Sequence, residues 1–183
     1  SATTMRSFLM CSACQREYES PLDRRFHAEP NACPHCGPAL RLFDRAGNGQ
    51  ATADAALAGV VAVLRAGGVA AVKGLGGFHL LCDATSERAV AELRRRKHRA
   101  AKPFAVMFRD LAALREVAEV GERESSLLTG PSAPIVLVPL RPGSSLAPSI
   151  APGNPWVGAL LPFTPLHVLL LAQLPFQIGR AHV

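Results

Sequence analysis

The stretch that decides the reading of this chain is Cys11-Ser-Ala-Cys14-Gln-Arg-Glu-Tyr-Glu-Ser-Pro-Leu-Asp-Arg-Arg-Phe-His-Ala-Glu-Pro-Asn-Ala-Cys33-Pro-His-Cys36-Gly-Pro38. Two C-x2-C pairs stand eighteen residues apart, and each pair can present two thiolates from one tight turn. Four thiolates at about 2.3 Å close a tetrahedral site suited to zinc. With four protein ligands the metal is expected to be structural rather than catalytic. Two redox dithiols or two disulfides are the alternatives; neither a preceding βαβ pattern nor an oxidising compartment favours them. His27 and His35 lie in the same segment and are expected at its surface or beside the metal site, because four sulfurs already satisfy the ion. The segment holds few apolar residues, so a metal has to supply what a core does not.

Outward from this module the composition changes. Asp44, Gly47, Asn48 and Gly49 mark a turn, and an Ala/Val/Leu-rich run opens at Ala51. We expect a small metal module over 1–45, an α/β domain over 46–177, and a foreign tail over 178–183. Leu57, Val60, Val61 and Leu64 fall at helical spacing, and Gly67-Gly68 supply a stop. Val69–Val72 reads as a buried strand, Gly74–Gly77 as a loop, and Phe78–Cys82 as a second strand. Thr85 or Ser86 can cap a helix to about Arg99; strands near 104–108 and 135–140 flank a helix over 110–120. Strands alternating with helices imply an α/β fold with a twisted sheet.

The whole chain has 183 residues, 49% of them hydrophobic, enough for one ordinary domain and a small module. Twenty Lys and Arg against fourteen Asp and Glu give a net charge of +6, a bias towards an anionic partner or simply a solvated basic surface. No leader pattern is present, so the cytoplasm is the expected compartment. The apolar stretch 160–176 is broken by Pro162, Pro165, His167, Gln173 and Pro175, and no membrane span is expected. Aromatic residues make up 5% of the chain, few stacking platforms for RNA.

Two further stretches bear on anion binding. Lys73-Gly-Leu-Gly76-Gly77-Phe-His79 follows a predicted strand, where glycines admit backbone N–H groups close to an anion and a lysine neutralises it. It matches neither the dinucleotide fingerprint nor the P-loop, and a plain tight turn is the alternative. Arg94-Arg-Arg-Lys97-His-Arg99-Ala-Ala-Lys102-Pro103 ends a helix. A solvated, dipole-matched helix end explains Arg94–Arg96, whereas Lys97, Arg99 and Lys102 crowd one turn and repel unless water or an anion lies between them. Cys82 reads as a buried, inert thiol and His167 as a structural histidine.

Residues 11–38 resemble the second zinc finger of the HypF family of carbamoyltransferases, which carries a tyrosine, a P-x-D-R-R-F-H run and a closing C-G-P between and after its cysteine pairs. In that family two fingers follow an acylphosphatase domain. From about Ala51 to Leu171 the chain resembles the YrdC-like domain that comes next. Lys97-x-Arg99 with Lys102-Pro103 is similar to the basic phosphate-binding motif of such domains, and 132–138 and 158–167 resemble later segments of the HypF version. Lys73–Leu80 differs from the Pro-Thr-x-Thr type run of members that make threonylcarbamoyl-adenylate.

The resemblance implies Zn2+ on Cys11, Cys14, Cys33 and Cys36, and ATP with Mg2+ as substrate near Lys73, Gly76, Gly77, Lys97, Arg99 and Lys102. It also implies carbamoyl-adenylate formation from carbamate, released from carbamoyl phosphate, and transfer to the C-terminal cysteine of a partner, HypE, in nickel–iron hydrogenase maturation. No catalytic side chain is assigned. The alternatives are threonylcarbamoyl-adenylate synthesis and a non-catalytic zinc module with an RNA-binding surface. Ile178-Gly-Arg-Ala-His-Val183 is also what one frame of a common sequencing adapter encodes. We therefore expect a truncated domain, with no strand after the apolar helix from Thr164, an open sheet edge and an unsupported helix face.

Overall fold

The computed structural model describes residues 9–28 and 30–182, and the chain forms two compact units divided between Leu57 and Ala58. The first holds helix α1 (Ser12–Glu19) and a two-stranded antiparallel hairpin, β1 (Arg41–Phe43) with β2 (Gly49–Thr52). Asp44 folds the hairpin's turn, its carboxylate accepting from the backbone N–H groups of Ala46 and Asn48 at 2.9 Å each. The turn signal at 44–49 is thus a hairpin inside the first unit. The division between units falls later, within helix α2 (Ala53–Arg65).

In the second unit, α2 ends where Gly67 adopts φ +75° and its N–H bonds the Leu64 carbonyl at 2.9 Å. There follow β3 (Ala70–Lys73), β4 (Phe78–Asp83), α3 (Glu87–Lys97), β5 (Ala105–Met107), α4 (Leu111–Val117), α5 (Glu122–Thr129) and β6 (Val136–Pro139). A short 3-10 turn (Pro148–Ile150), β7 (Trp156–Leu160), α6 (Pro165–Gln173) and β8 (Ile178–His182) complete it. Side-chain caps set the helix starts: Ser86 accepts from Ala89 N–H, Asp110 from Ala113 N–H, and Thr164 from His167 N–H. The helix expected over 110–120 stops at Val117, because Ala118 is extended and bridges Leu140 while Glu119 N–H bonds the Pro139 carbonyl at 2.9 Å, and α5 is a further helix beyond the expected span.

Six strands form one sheet in the order β3-β4-β8-β5-β7-β6. β5 and β7 are parallel and every other neighbouring pair is antiparallel. One face buries Cys82, Val106, Val138, Val157, Ala159 and Ala181 against Val90 and Leu93 of α3, Leu114 of α4 and Leu128 of α5. The other face buries His79, Leu81, Met107, Ile178 and Arg180. There α6 contributes His167, whose ring stacks on that of His79 with centroids 5.9 Å apart.

Strand β8 corrects the expectation of a missing strand and an open edge. Ile178–His182 lies between β4 and β5 and is hydrogen-bonded to both. The slot demands an antiparallel strand whose residues are buried on both faces, and Ile178, Gly179 and Ala181 are small or apolar enough to fit. Gly179 fits a tight spot: a Cβ there would stand 3.2 Å from Cys82 Sγ and from Ile150 Cδ1, so these side chains would have to give by a few tenths of an ångström. The apolar helix is supported as well, with Leu170, Leu171 and Leu174 buried. Val183, the last residue of the expected tail, lies outside the described residues. Among the described residues no helix is long and apolar enough to cross a membrane.

Burial gives this fold an acid-sensitive point. His167 is 1% exposed, and burial holds its imidazole down to about 4 from an ordinary 6.5. The folded state therefore resists a proton that the unfolded state accepts below about 6.5, so stability is fully present above that pH and falls as pH drops from 6.5 towards 4. Urea unfolding across this window should show the loss, and His167→Phe should flatten it; an unchanged slope in the variant would assign the acid sensitivity elsewhere.

Candidate functional site

The four predicted metal ligands converge. Cys11 caps α1, Cys14 lies in its first turn, and Cys33 and Cys36 come from the turn that follows Asn31. The Asn31 side chain ties the two halves together, donating to the Cys14 carbonyl at 2.9 Å. Sulfur–sulfur separations are 3.7 Å for Cys11–Cys33, 3.8 Å for Cys33–Cys36 and 3.6 Å for Cys36–Cys14, and all four sulfurs lie within 4.8 Å of one another. Four sulfurs at about 2.3 Å from a central ion stand about 3.8 Å apart at the corners of a tetrahedron. The site therefore fits zinc in size and in donor chemistry. The sulfur–sulfur separations are well beyond the roughly 2 Å of a disulfide bond, and the four cysteines are arranged as one cluster and not as two bridged pairs.

Two of the four thiols are biased towards the thiolate and one against it. Backbone hydrogen bonding at Cys11 brings the Cys36 thiol down to about 6, and backbone hydrogen bonding at Cys36 lowers that of Cys33. Cys14 is buried, and burial pushes its thiol up to about 12. A cation at the centre reverses that preference, since a coordinating thiol is deprotonated outright. Gly37 closes the second turn: its N–H bonds the Cys33 carbonyl at 2.7 Å, where a Cβ would stand 2.7 Å from the same oxygen. His27 stacks on Tyr18 with centroids 4.9 Å apart. His35 is exposed, and its backbone N–H donates to Cys33 Sγ at 3.3 Å.

The predicted anion-binding residues fall on two loops. Lys73 ends β3 and lies exposed with its Nζ 5.1 Å from the Phe78 ring centroid. Gly74–Gly77 make the β3–β4 hairpin turn, closed by Gly74 N–H to the Gly77 carbonyl at 2.7 Å, with Gly77 at φ +151°. The tight-turn alternative thus describes this loop's backbone. Gly76 has open space where a Cβ would lie, whereas a Cβ on Gly74 would stand 2.5 Å from the His79 ring. Gly74 is there for the buried histidine, a constraint that the sequence did not reveal.

Lys97 is the last residue of α3, and Arg99 and Lys102 lie in the loop that follows it, before β5. Lys97 is half-buried and Lys102 exposed. His98 takes a left-handed conformation (φ 47°), ends α3 and turns the chain back on itself. Arg99 is occupied by its own loop: its guanidinium donates to the carbonyls of Lys102 at 3.1 Å and Pro103 at 2.7 Å and lies 5.0 Å from the Phe104 ring centroid. The two loops hang from the same end of the sheet. Leu81 and Ala105 both pair with Arg180 of β8, so β4 and β5 run in parallel, and each begins where its loop ends.

Arg94 departs from the solvated helix end read in the sequence. It is 9% exposed, and its guanidinium lies 4.7 Å from the Phe104 ring centroid amid backbone carbonyls. Of the triplet, Arg95 and Arg96 are the surface residues, each paired with Glu92, at 2.8 and 2.6 Å. Cys82 is fully buried, and burial pushes its thiol up to about 12, the inert state expected.

Comparisons with known proteins follow the same division. The Sua5/YciO/YrdC family model, described as "Telomere recombination", matches residues 62–179, and the "HypF finger" model matches 10–43. Carbamoyltransferase HypF of Rhodobacter capsulatus is 54% identical over 169 residues, 92% of this chain and 22% of the relative. A crystal structure of full-length HypF in the phosphate- and nucleotide-bound form is 41% identical with a TM-score of 0.82, over 97% of this chain and 23% of that one. HypF of T. kodakarensis is 39% identical with a TM-score of 0.85, over 98% and 23%. The chain thus spans under a quarter of the length of these relatives. A YrdC-like domain preceded by a four-cysteine finger, matching over nearly its whole length, shows that the chain belongs to the Sua5/YciO/YrdC family in the finger-bearing form found in the HypF carbamoyltransferases.

Proposed function

We propose that this chain is the second finger and the nucleotide-binding segment of a HypF-type carbamoyltransferase, and that its second unit contributes to the formation of carbamoyl-adenylate. The observation that carries the reading is the loop with Lys97 and Lys102, which shares one sheet end with the Lys73 hairpin in a chain similar over 97% of its length to a phosphate- and nucleotide-bound HypF. In the reaction a carbamate oxygen attacks the α-phosphorus of ATP, the bond to the bridging oxygen breaks, and pyrophosphate leaves with its electron pair. Two anions must meet, so the site has to screen repulsion and hold charge on the phosphoryl oxygens. Lys97, Lys102 and Lys73 supply cations for that work, and Arg99 braces the loop that links Lys97 to Lys102. Magnesium arrives with ATP and shares the screening. Carbamate is itself a nucleophile, so the step needs no general base. Zinc on the four cysteines holds the finger together, and the carbamoyl group passes on to the C-terminal cysteine of HypE.

Pyrophosphate exchange into ATP separates the enzyme readings. In the complete carbamoyltransferase we expect exchange that depends on carbamoyl phosphate. Exchange driven instead by threonine with bicarbonate would make this a threonylcarbamoyl-adenylate synthase, and no exchange with either would leave a binding module.

A further inference from the structure

Arg94 does more than end a helix. Its Nε donates to the Ser149 carbonyl at 2.6 Å, its Nη1 to the carbonyls of Arg99, Ala100 and Lys102 at 2.8, 3.2 and 3.3 Å, and its Nη2 to that of Ile150 at 3.3 Å. Five carbonyls from two separate segments thus converge on one buried guanidinium. The Ser149 segment is fixed from its other side, where Glu87 accepts from the backbone N–H of Ser149 at 3.2 Å and from its hydroxyl. The Arg99 segment is fixed by the left-handed turn at His98 and by Arg99 N–H to the Arg94 carbonyl at 3.2 Å. A guanidinium is suited to this because its donors fan out in one plane, and a lysine ammonium, a point charge, cannot span both segments.

The collar has a consequence for the outside of the loop. In a trans peptide the C=O and the N–H point in opposite directions. Where the carbonyls of Arg99 and Ala100 turn inward to Arg94, the N–H groups of Ala100 and Ala101 turn outward. Both residues are exposed, and among the described residues no backbone carbonyl accepts from either N–H. Two successive N–H groups aimed outward between Lys97 and Lys102 can donate to one anion.

We propose that Arg94 is a positioning residue whose carbonyl collar presents the N–H groups of Ala100 and Ala101, beside Lys97 and Lys102, to the phosphates of the nucleotide. This rests on the nucleotide-binding function proposed above and names further groups that would carry it.

The test uses the complete carbamoyltransferase, with amide exchange and pyrophosphate exchange read side by side. In the unsubstituted enzyme, ATP with magnesium should slow exchange of the Ala100 and Ala101 amides by about tenfold or more, the scale of one charge-assisted hydrogen bond. Arg94→Lys, which keeps the charge and loses the collar, should raise KM for ATP by roughly ten- to a hundredfold with kcat much less affected, and should abolish the nucleotide-dependent slowing. A wild-type KM in Arg94→Lys, or amides at 100 and 101 that ignore nucleotide in the unsubstituted enzyme, overturns the proposal. If Arg94→Lys fails to fold, amide exchange in the unsubstituted enzyme decides alone. If Lys97→Ala and Lys102→Ala leave ATP use intact, the nucleotide site itself lies elsewhere and the proposal falls with it; intact use in Arg94→Lys alone rejects the collar and keeps the site.

Discussion

Chelation of zinc is expected to unfold the finger and leave the six-stranded sheet intact. Among the described residues from 9 to 52, Cys14 and Asn31 alone are buried, so the segment has no apolar core to fall back on once the metal is gone. What remains is surface contacts: Tyr18 on His27, and the exposed Arg25–Glu17 pair at 2.7 Å, of a kind worth little in water. Folding free energy and metal-binding free energy are then nearly the same quantity. We expect one zinc per chain by metal analysis, loss of that zinc in Cys14→Ser, and rapid proteolysis confined to residues 11–40 after chelation. Protein that purifies without zinc, or that resists protease equally with and without chelator, would refute a structural metal here.

Substitution of the free lysines of the basic loop is expected to have the second large effect. Lys97→Ala and Lys102→Ala should each raise KM for ATP in pyrophosphate exchange by roughly ten- to a hundredfold, the loss of a charge-assisted phosphate contact. Arg96→Ala is the control: its charge is already engaged by Glu92 at 2.6 Å on the solvent side of α3, and its removal should change KM by no more than about twofold. Arg94 cannot serve as that control, although its place in the Arg-Arg-Arg run suggests it, because its burial makes any substitution a change in loop structure. Equal effects from Lys97, Lys102 and Arg96 would reduce the cluster to general surface charge.

The amino-acid sequence by itself determined the metal module, since cysteine spacing limits which sulfurs can meet and the chemistry of thiolates selects the ion. It also determined most of the elements of the second unit. Period-3.6 and β-branched runs, with caps at Ser86 and stops at Gly67, are local signals, and local signals survive folding. Tertiary structure alone decided three things. It decided that Ile178–His182 fills the centre of the sheet, because strand order depends on pairing between residues far apart in the chain and a short run with Gly and Arg carries no strand signature. It decided that Gly74 serves His79, a packing constraint between side chain and backbone that glycine content cannot announce. And it gave the arginine triplet its partners: Arg94 lies one turn beyond Val90 on the inward face of α3, a spacing the sequence carries, but the five carbonyls that satisfy its buried charge come from two segments that only the fold brings to it, while Arg95 and Arg96 stay with Glu92 at the surface.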